Sequence, residues 1–261
     1  MVPCLSKKRS GFALVELLVA LGLGTFLLGL LLPAVQKANE AANRVQCHNN
    51  LRHVAIAAHN CHDVSRRFPP LTGSFPQGQK NYGTLFFHML PYLEQNDLYQ
   101  KAGGFVWQNG TYSARVPTLL CPSDGSAPAD NKYKNWLATS SYAGNWLIFG
   151  TEGKRFADIT DGTSNTLMFA ERYQMCNGTP CAWGYPGLYY WAPQFAYYSQ
   201  GPFQVTPAEG QCDPARAQTP HPGGISVAMA DGSAHTFGDK VSPQVWWYLC
   251  TPNGNEVVAL P

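Results

Sequence analysis

The chain has 261 residues, 45% of them hydrophobic and 13% aromatic, which is enough apolar material for a packed core and too much for a disordered chain. Its formal charge of +2 rests on Lys7, Lys8 and Arg9. Without these three, the 18 basic residues fall to 15 against 16 acidic ones, and a chain near neutrality without a basic stripe makes a poor nucleic-acid binder. Gly (25) and Pro (20) are abundant, so short elements joined by many turns are expected.

From Phe12 to Leu32 run twenty-one residues with a single charge, Glu16, about the length that crosses a bilayer core. A secretory signal has an apolar stretch of only ~7–15 residues followed by a small-residue cleavage site. Here the stretch is longer and leads straight into helix-forming sequence. The basic cluster before it predicts an amino terminus in the cytoplasm and everything after Leu32 outside. Glu16 is the anomaly, because a carboxylate at the centre of a membrane helix costs at least ~3 kcal/mol. Either a cation compensates it, or it reaches the membrane surface with help from the helix dipole.

The sequence "AVQKANEAANRVQCHNNLRHVAIAAHNCHDVSRRFPP" continues the helix past Pro33. Val35, Ala38, Ala42 and Val45, then Leu51, Val54, Ala58 and Cys61, recur at helical spacing. Arg66, Arg67, Pro69 and Pro70 supply the stop. A helix from Phe12 to about Ser65 would be near 80 Å long, with its first half in membrane and its second half against a soluble domain. Residues 83–102 read as a second helical region interrupted at Pro91, and 105–135 are turn-rich. Strand-like runs follow at 140–149, 166–172 and 187–192, then "ISVAMA" and "SAHTF" on either side of Asp231–Gly232, a strong hairpin signal. Ser242, Pro243 and Gly254 mark a closing helix by its cap, first residue and stop. The expected fold class is α+β, with the long amino-terminal helix packed on an antiparallel sheet with many loops.

The junction "KKRSG|FALVE" resembles the processing site of type IV prepilins and type II secretion pseudopilins. That resemblance implies cleavage after Gly11 by a prepilin peptidase/methylase, methylation of the new terminus Phe12, and an assembly role for Glu16. The carboxylate would meet the charged amino terminus of a neighbouring subunit, as a buried charge requires. Pro33 falls where many pilins carry a kinking proline, and the pilin-like lollipop shape is implied with it. "LLPAVQKANEAANRVQCHNNL", "HNCHD…FPP", "LPYLEQ", "LCPSD", "SYAGN", "DGTSNTLMFAE" and "HPGGISVAMADGSAHTF" are similar to successive signatures of a large bacterial family that joins a prepilin-type segment to an uncharacterised carboxy-terminal domain. Its motif residues here include Asp161, Asn165, His221, Asp231 and Gly232, the last three forming a closing His-x9-Asp-Gly signature. Cys61 departs from the family, which usually has an aromatic residue there.

Candidate chemistry is sparse. Eight cysteines suit an exported chain. Cys4 lies in the leader, so at least one of the remaining seven is unpaired or pairs between chains. Cys176 and Cys181 flank the turn "NGTP" and form the candidate disulfide, whereas Cys47 and Cys61 are about 21 Å apart along one helix and cannot bridge. His59, His62 and Asp63 share a helix face and, with Cys61, could hold a metal, though hydrogen bonding to the following turn is the commoner use. "PSDGSAPADN" (122–131) and "TDGTSNT" (160–166) have calcium-type oxygens without EF-hand spacing and read first as turns. Ser123, Asp124 and His221 supply nucleophilic residue types without a Gly-x-Ser-x-Gly elbow. The aromatic run 185–203 reads as buried sheet face and loop, or as a partner or glycan surface if exposed. Asn109 and Asn177, each in Asn-Gly-Thr, read as turns.

The expectation is therefore a leader (1–11), a membrane and assembly helix (12–35), its extracytoplasmic continuation (36–67) and a β-rich extracytoplasmic domain (68–261). No catalytic residues, no resident metal and no cofactor are expected, calcium being the one ion the loops offer. The expected partners are the prepilin peptidase/methylase, the inner membrane and like subunits in a pilus or pseudopilus-type complex. A membrane-anchored binding module that does not polymerise is the alternative.

Overall fold

The computed structural model describes residues 14–78, 80–187, 190–197 and 201–256. The leader, Gly11 and Phe12 lie outside the described residues. Two compact units divide the chain between Ala42 and Asn43. Helix α1 (Leu14–Ser65) runs unbroken through Pro33 and contributes to both.

In the first unit every described residue from Leu14 to Leu32 except Leu23's neighbour Gly24 is exposed, including Leu17, Leu21, Leu28 and Leu32. Apolar side chains therefore cover the whole circumference, the pattern of a helix made for a non-aqueous environment. Its length and composition suffice to cross a membrane.

In the second unit α1 becomes one-sided. Cys47, Leu51, Val54, Ala55, Ala58 and Cys61 are buried, while Arg52, Asn60 and Asp63 stay exposed. The chain then forms α2 (Leu85–Met89), a 3-10 turn at Leu90–Tyr92 containing Pro91, and α3 (Asn96–Lys101). The main sheet has five strands: β1 (Tyr142–Asn145), β2 (Leu167–Glu171), β3 (Gln194–Phe195), β4 (Gly224–Met229) and β5 (Ala234–Gly238). Their order is β5-β4-β2-β1-β3. Four strands pair antiparallel as expected, but the edge strand β3 runs parallel to β1, so the sheet is mixed.

Strand β4 alternates as a two-sided strand must. Ala228 joins the core shared with Leu51, Val54, Phe86, Phe149 and Trp183. Ile225, Val227 and Met229 join a second core with Phe195, Phe237, Trp246 and Leu249. The last two belong to α5 (Pro243–Cys250), where Ser242 Oγ accepts the Val245 amide as the cap. The Asp231–Gly232 turn joins β4 to β5 as expected, with Gly232 at φ 86°.

Three expectations need correction. The run 140–149 is strand only to Asn145, because Asn145 Oδ1 accepts the Leu147 amide and caps a short helix, α4 (Trp146–Phe149). The described part of 187–192 carries no strand, and β3 begins two residues later, at Gln194. Cys176 and Cys181 do not pair. The Met175–Cys176 and Thr179–Pro180 hairpin sets Thr179 opposite Cys176, and Cys176 forms its disulfide with Cys212. Cys181 is a buried free thiol whose amide donates to Gln174 O.

Candidate functional site

Strand β2 ends on Glu171, a fully buried carboxylate. Thr219 Oγ1 (2.6 Å) and the Ser226 amide (2.9 Å) both donate to its Oε2. Oε1 receives no hydrogen bond from the described residues and stands 3.1 Å from His221 Nε2. The same nitrogen lies 3.5 Å from Cys121 Sγ. Cys47, on the buried face of α1, completes the cluster, and the ligand atoms of Cys47, Cys121, Glu171 and His221 all lie within 4.8 Å of one another.

Local interactions hold each member in place. Asn50, three residues after Cys47 and therefore on the same helix face, donates from Nδ2 to Leu120 O at 3.0 Å and to Tyr142 Oη at 3.3 Å. This ties α1 to the segment carrying Cys121. The His221 amide donates to Thr219 Oγ1, which itself donates to Glu171. His221, Glu171 and Cys47 are wholly enclosed and Cys121 nearly so. The hydrogen bond from Cys121 brings the Cys47 thiol down to about 7 against the opposing effect of burial. Cys121, hydrogen-bonded to Cys47 and buried, moves up.

A thiol–imidazole relay presents the nucleophile and the orienting carboxylate to opposite ring nitrogens. Here both face Nε2, inside an enclosed core. Convergence of four donors on one point is instead the arrangement of a ligand shell.

The residues singled out by sequence reasoning are distributed differently. Of the cluster's members only His221 was among them. The sequence offers Cys47 only as a candidate for a bridge, and it does not point to Cys121 and Glu171, since no short spacing links them. His221 and Asp231 stand beyond opposite ends of β4 and belong to separate places. At the far end, Asp231 Oδ1 accepts from the amide (2.8 Å) and Oγ (2.6 Å) of Ser233, and the Asp231 amide donates to Thr163 O at 3.0 Å. Asn165 Nδ2 donates to Asp161 O at 3.2 Å in that neighbouring loop. His59 Nε2 lies 2.9 Å from Ala230 O, and its ring is within 3.4 Å of where a Cβ on Gly232 would stand.

His62 Nε2 accepts the Phe156 amide at 3.3 Å, so the two helix imidazoles bind different backbone groups. Cys61 is buried, which pushes its thiol up to about 12. Asp161 accepts the Gly254 and Asn255 amides at 2.7 and 2.9 Å. Asp124 accepts from Ser126, Ser141 and the Gln174 amide. The two candidate calcium loops thus use these carboxylates to hold backbone and hydroxyl donors, and the carboxylate facing His221 is Glu171 rather than Asp124.

The aromatic run divides. Phe195 and Phe203 are buried, whereas Tyr190 and Tyr197 are exposed. Tyr185 and Trp191 join Trp107, Trp136 and Tyr133 in a chain of ring contacts 5.2 to 6.3 Å apart, in which Trp107 and Trp136 are also exposed. Nearby in sequence, Tyr173, Met175, Asn177, Glu209 and Pro220 line a cleft of about 630 Å³. In the first unit, Glu16 lies in the opening turn of α1, exposed among Leu14, Val15, Leu17 and Leu18.

A family described as "Protein of unknown function (DUF1559)" matches residues 36–244. A "Prokaryotic N-terminal methylation motif" matches residues 6–32. No curated protein and no solved structure matches the chain.

Proposed function

This chain belongs to the DUF1559 family of proteins of unknown function and opens on a prokaryotic N-terminal methylation motif, and from that premise we propose that it is a prepilin-like structural subunit. It is cut after Gly11, methylated on Phe12 and anchored by the first part of α1 in the inner membrane, with the unit from Asn43 onward outside. Like subunits assemble through the segment 12–35 into a pilus or pseudopilus-type complex. The methylation motif carries this reading. The exposed apolar surface around the first part of α1 supports it, because lipid or neighbouring helices must cover such a surface. Glu16, within that surface, suits a neighbour's methylated amino terminus. The Cys176–Cys212 disulfide fits an oxidising space, and neither family's description names an enzyme.

The test is intact mass and amino-terminal fragmentation of the protein from native membranes. A chain beginning at Phe12 and heavier by one methyl group is expected. A chain still beginning at Met1 would overturn the processing step.

A second reading is an anchored binding module that does not polymerise, favoured by the partly exposed rings of Trp107, Trp136, Tyr185 and Trp191. Cysteines introduced along 12–35 discriminate the two: a cross-linked ladder marks the assembled subunit, and monomers alone mark the anchor.

A further inference from the structure

We propose that Cys47, Cys121, Glu171 and His221 are the four ligands of a structural zinc ion. Two thiolates, an imidazole nitrogen and a carboxylate oxygen form a donor set that zinc takes in tetrahedral geometry. With bonds of ~2.3 Å to sulfur and ~2.0 Å to nitrogen or oxygen, tetrahedral ligands stand about 3.5 Å apart for S···N and about 3.3 Å for N···O. The observed separations are 3.5 Å from Cys121 Sγ to His221 Nε2 and 3.1 Å from His221 Nε2 to Glu171 Oε1.

Glu171 Oε1 is the second, independent observation. It is a buried carboxylate oxygen without a hydrogen bond among the described residues, aimed into the cluster. Its sister oxygen is held by Thr219 and Ser226, the outer support that orients a ligating carboxylate. A proton on Nε2 could serve only one of its two neighbours, whereas a cation at the point of convergence serves all four donors. Four enclosed protein ligands leave no open position, so the site is structural rather than catalytic.

Binding releases the protons of both thiols and leaves a shell of two thiolates, one carboxylate and a neutral imidazole around the dication. The ion would join α1, the Cys121 segment, the end of β2 and the approach to β4. It also accounts for two adjacent thiols remaining free in the unit that carries the Cys176–Cys212 disulfide.

The test uses the full chain in detergent, purified without chelator. Metal content is measured by mass spectrometry, alongside alkylation of Cys47 and Cys121. About one zinc per chain is expected, with both thiols protected until the protein is denatured in chelator. Chelator-treated protein should melt at lower temperature and recover on addition of zinc alone. Cys47→Ser and Glu171→Gln should lose the bound zinc while retaining the Cys176–Cys212 disulfide. A Cys47–Cys121 disulfide in peptide maps, or wild-type chain that takes up no zinc when it is supplied, would overturn the assignment, as would a folded Cys47→Ser protein with full zinc. Should the variants fail to fold, removal and return of zinc on the wild-type chain decides the question.

Discussion

His221 Nε2 faces Glu171 Oε1 at 3.1 Å, with both side chains enclosed in the core. Asp231, which shares a sequence signature with His221, instead closes a turn beyond the far end of β4 by accepting from Ser233. The signature thus marks the two ends of one strand, with a buried polar cluster at the first and a helix-docking turn at the second.

Removing one member of a buried charge-capable pair typically costs about 3–5 kcal/mol, because its partners lose their compensation. Glu171→Ala strips the acceptor from Thr219 and the Ser226 amide and removes the carboxylate oxygen that faces His221. A loss of that size is expected in denaturant unfolding followed by tryptophan fluorescence. A loss below about 1 kcal/mol would place Glu171 among ordinary surface-like positions.

Burial pushes the His88 imidazole down to about 4 from its ordinary 6.5, despite its hydrogen bond to Gly73 O at 3.0 Å. The unfolded chain therefore takes up a proton that the folded chain refuses between these values. The contribution of neutral His88 is complete above about pH 6.5 and is lost as pH falls towards 4, about 3 kcal/mol in all. His48 and His62 are lowered by burial too and add in the same direction. Melting temperature against pH should show this decline, and His88→Gln should flatten part of it. An unchanged slope in the variant would contradict the assignment.

The Cys176–Cys212 disulfide closes a separation of 36 residues, for which chain entropy gives about 4 kcal/mol. The double variant Cys176→Ser/Cys212→Ser should lose stability on that scale. Peptide mapping of the unreduced wild-type chain should recover the 176–212 linkage and Cys181 as a thiol. A 176–181 linkage would restore the pairing suggested by the turn alone.

Glu16→Ala should insert and be cleaved normally yet fail to co-assemble with like subunits, read by cross-linking along 12–35. Normal assembly would remove the role given to Glu16. Gly11→Ala should block cleavage and leave an unprocessed band, a separate step read by mass alone.

Elements encoded by neighbouring residues were legible in the sequence. The apolar run of α1, its end near Ser65, the Pro91 interruption, the Asp231–Gly232 turn and the Ser242 cap all rest on periodicity or turn chemistry within a few positions. The parallel edge strand β3 was not legible, because two residues carry no periodicity and their partner lies on β1, about fifty positions earlier. The Cys176 pairing was not legible for a related reason: proximity in sequence points to Cys181, whereas hairpin register and a distant loop select Cys212. The buried cluster is the extreme case. Cys47, Cys121, Glu171 and His221 are separated by 74, 50 and 50 residues, too far apart for any local spacing to relate them. Each lies within a segment that carries the family resemblance, but only the packing of α1 on the sheet brings their donor atoms together. Sequence alone determined the membrane-length helix and its processing signal, because those depend on local composition. Tertiary structure decided the polar centre of the second unit, because convergence of donors is a property of distance through space.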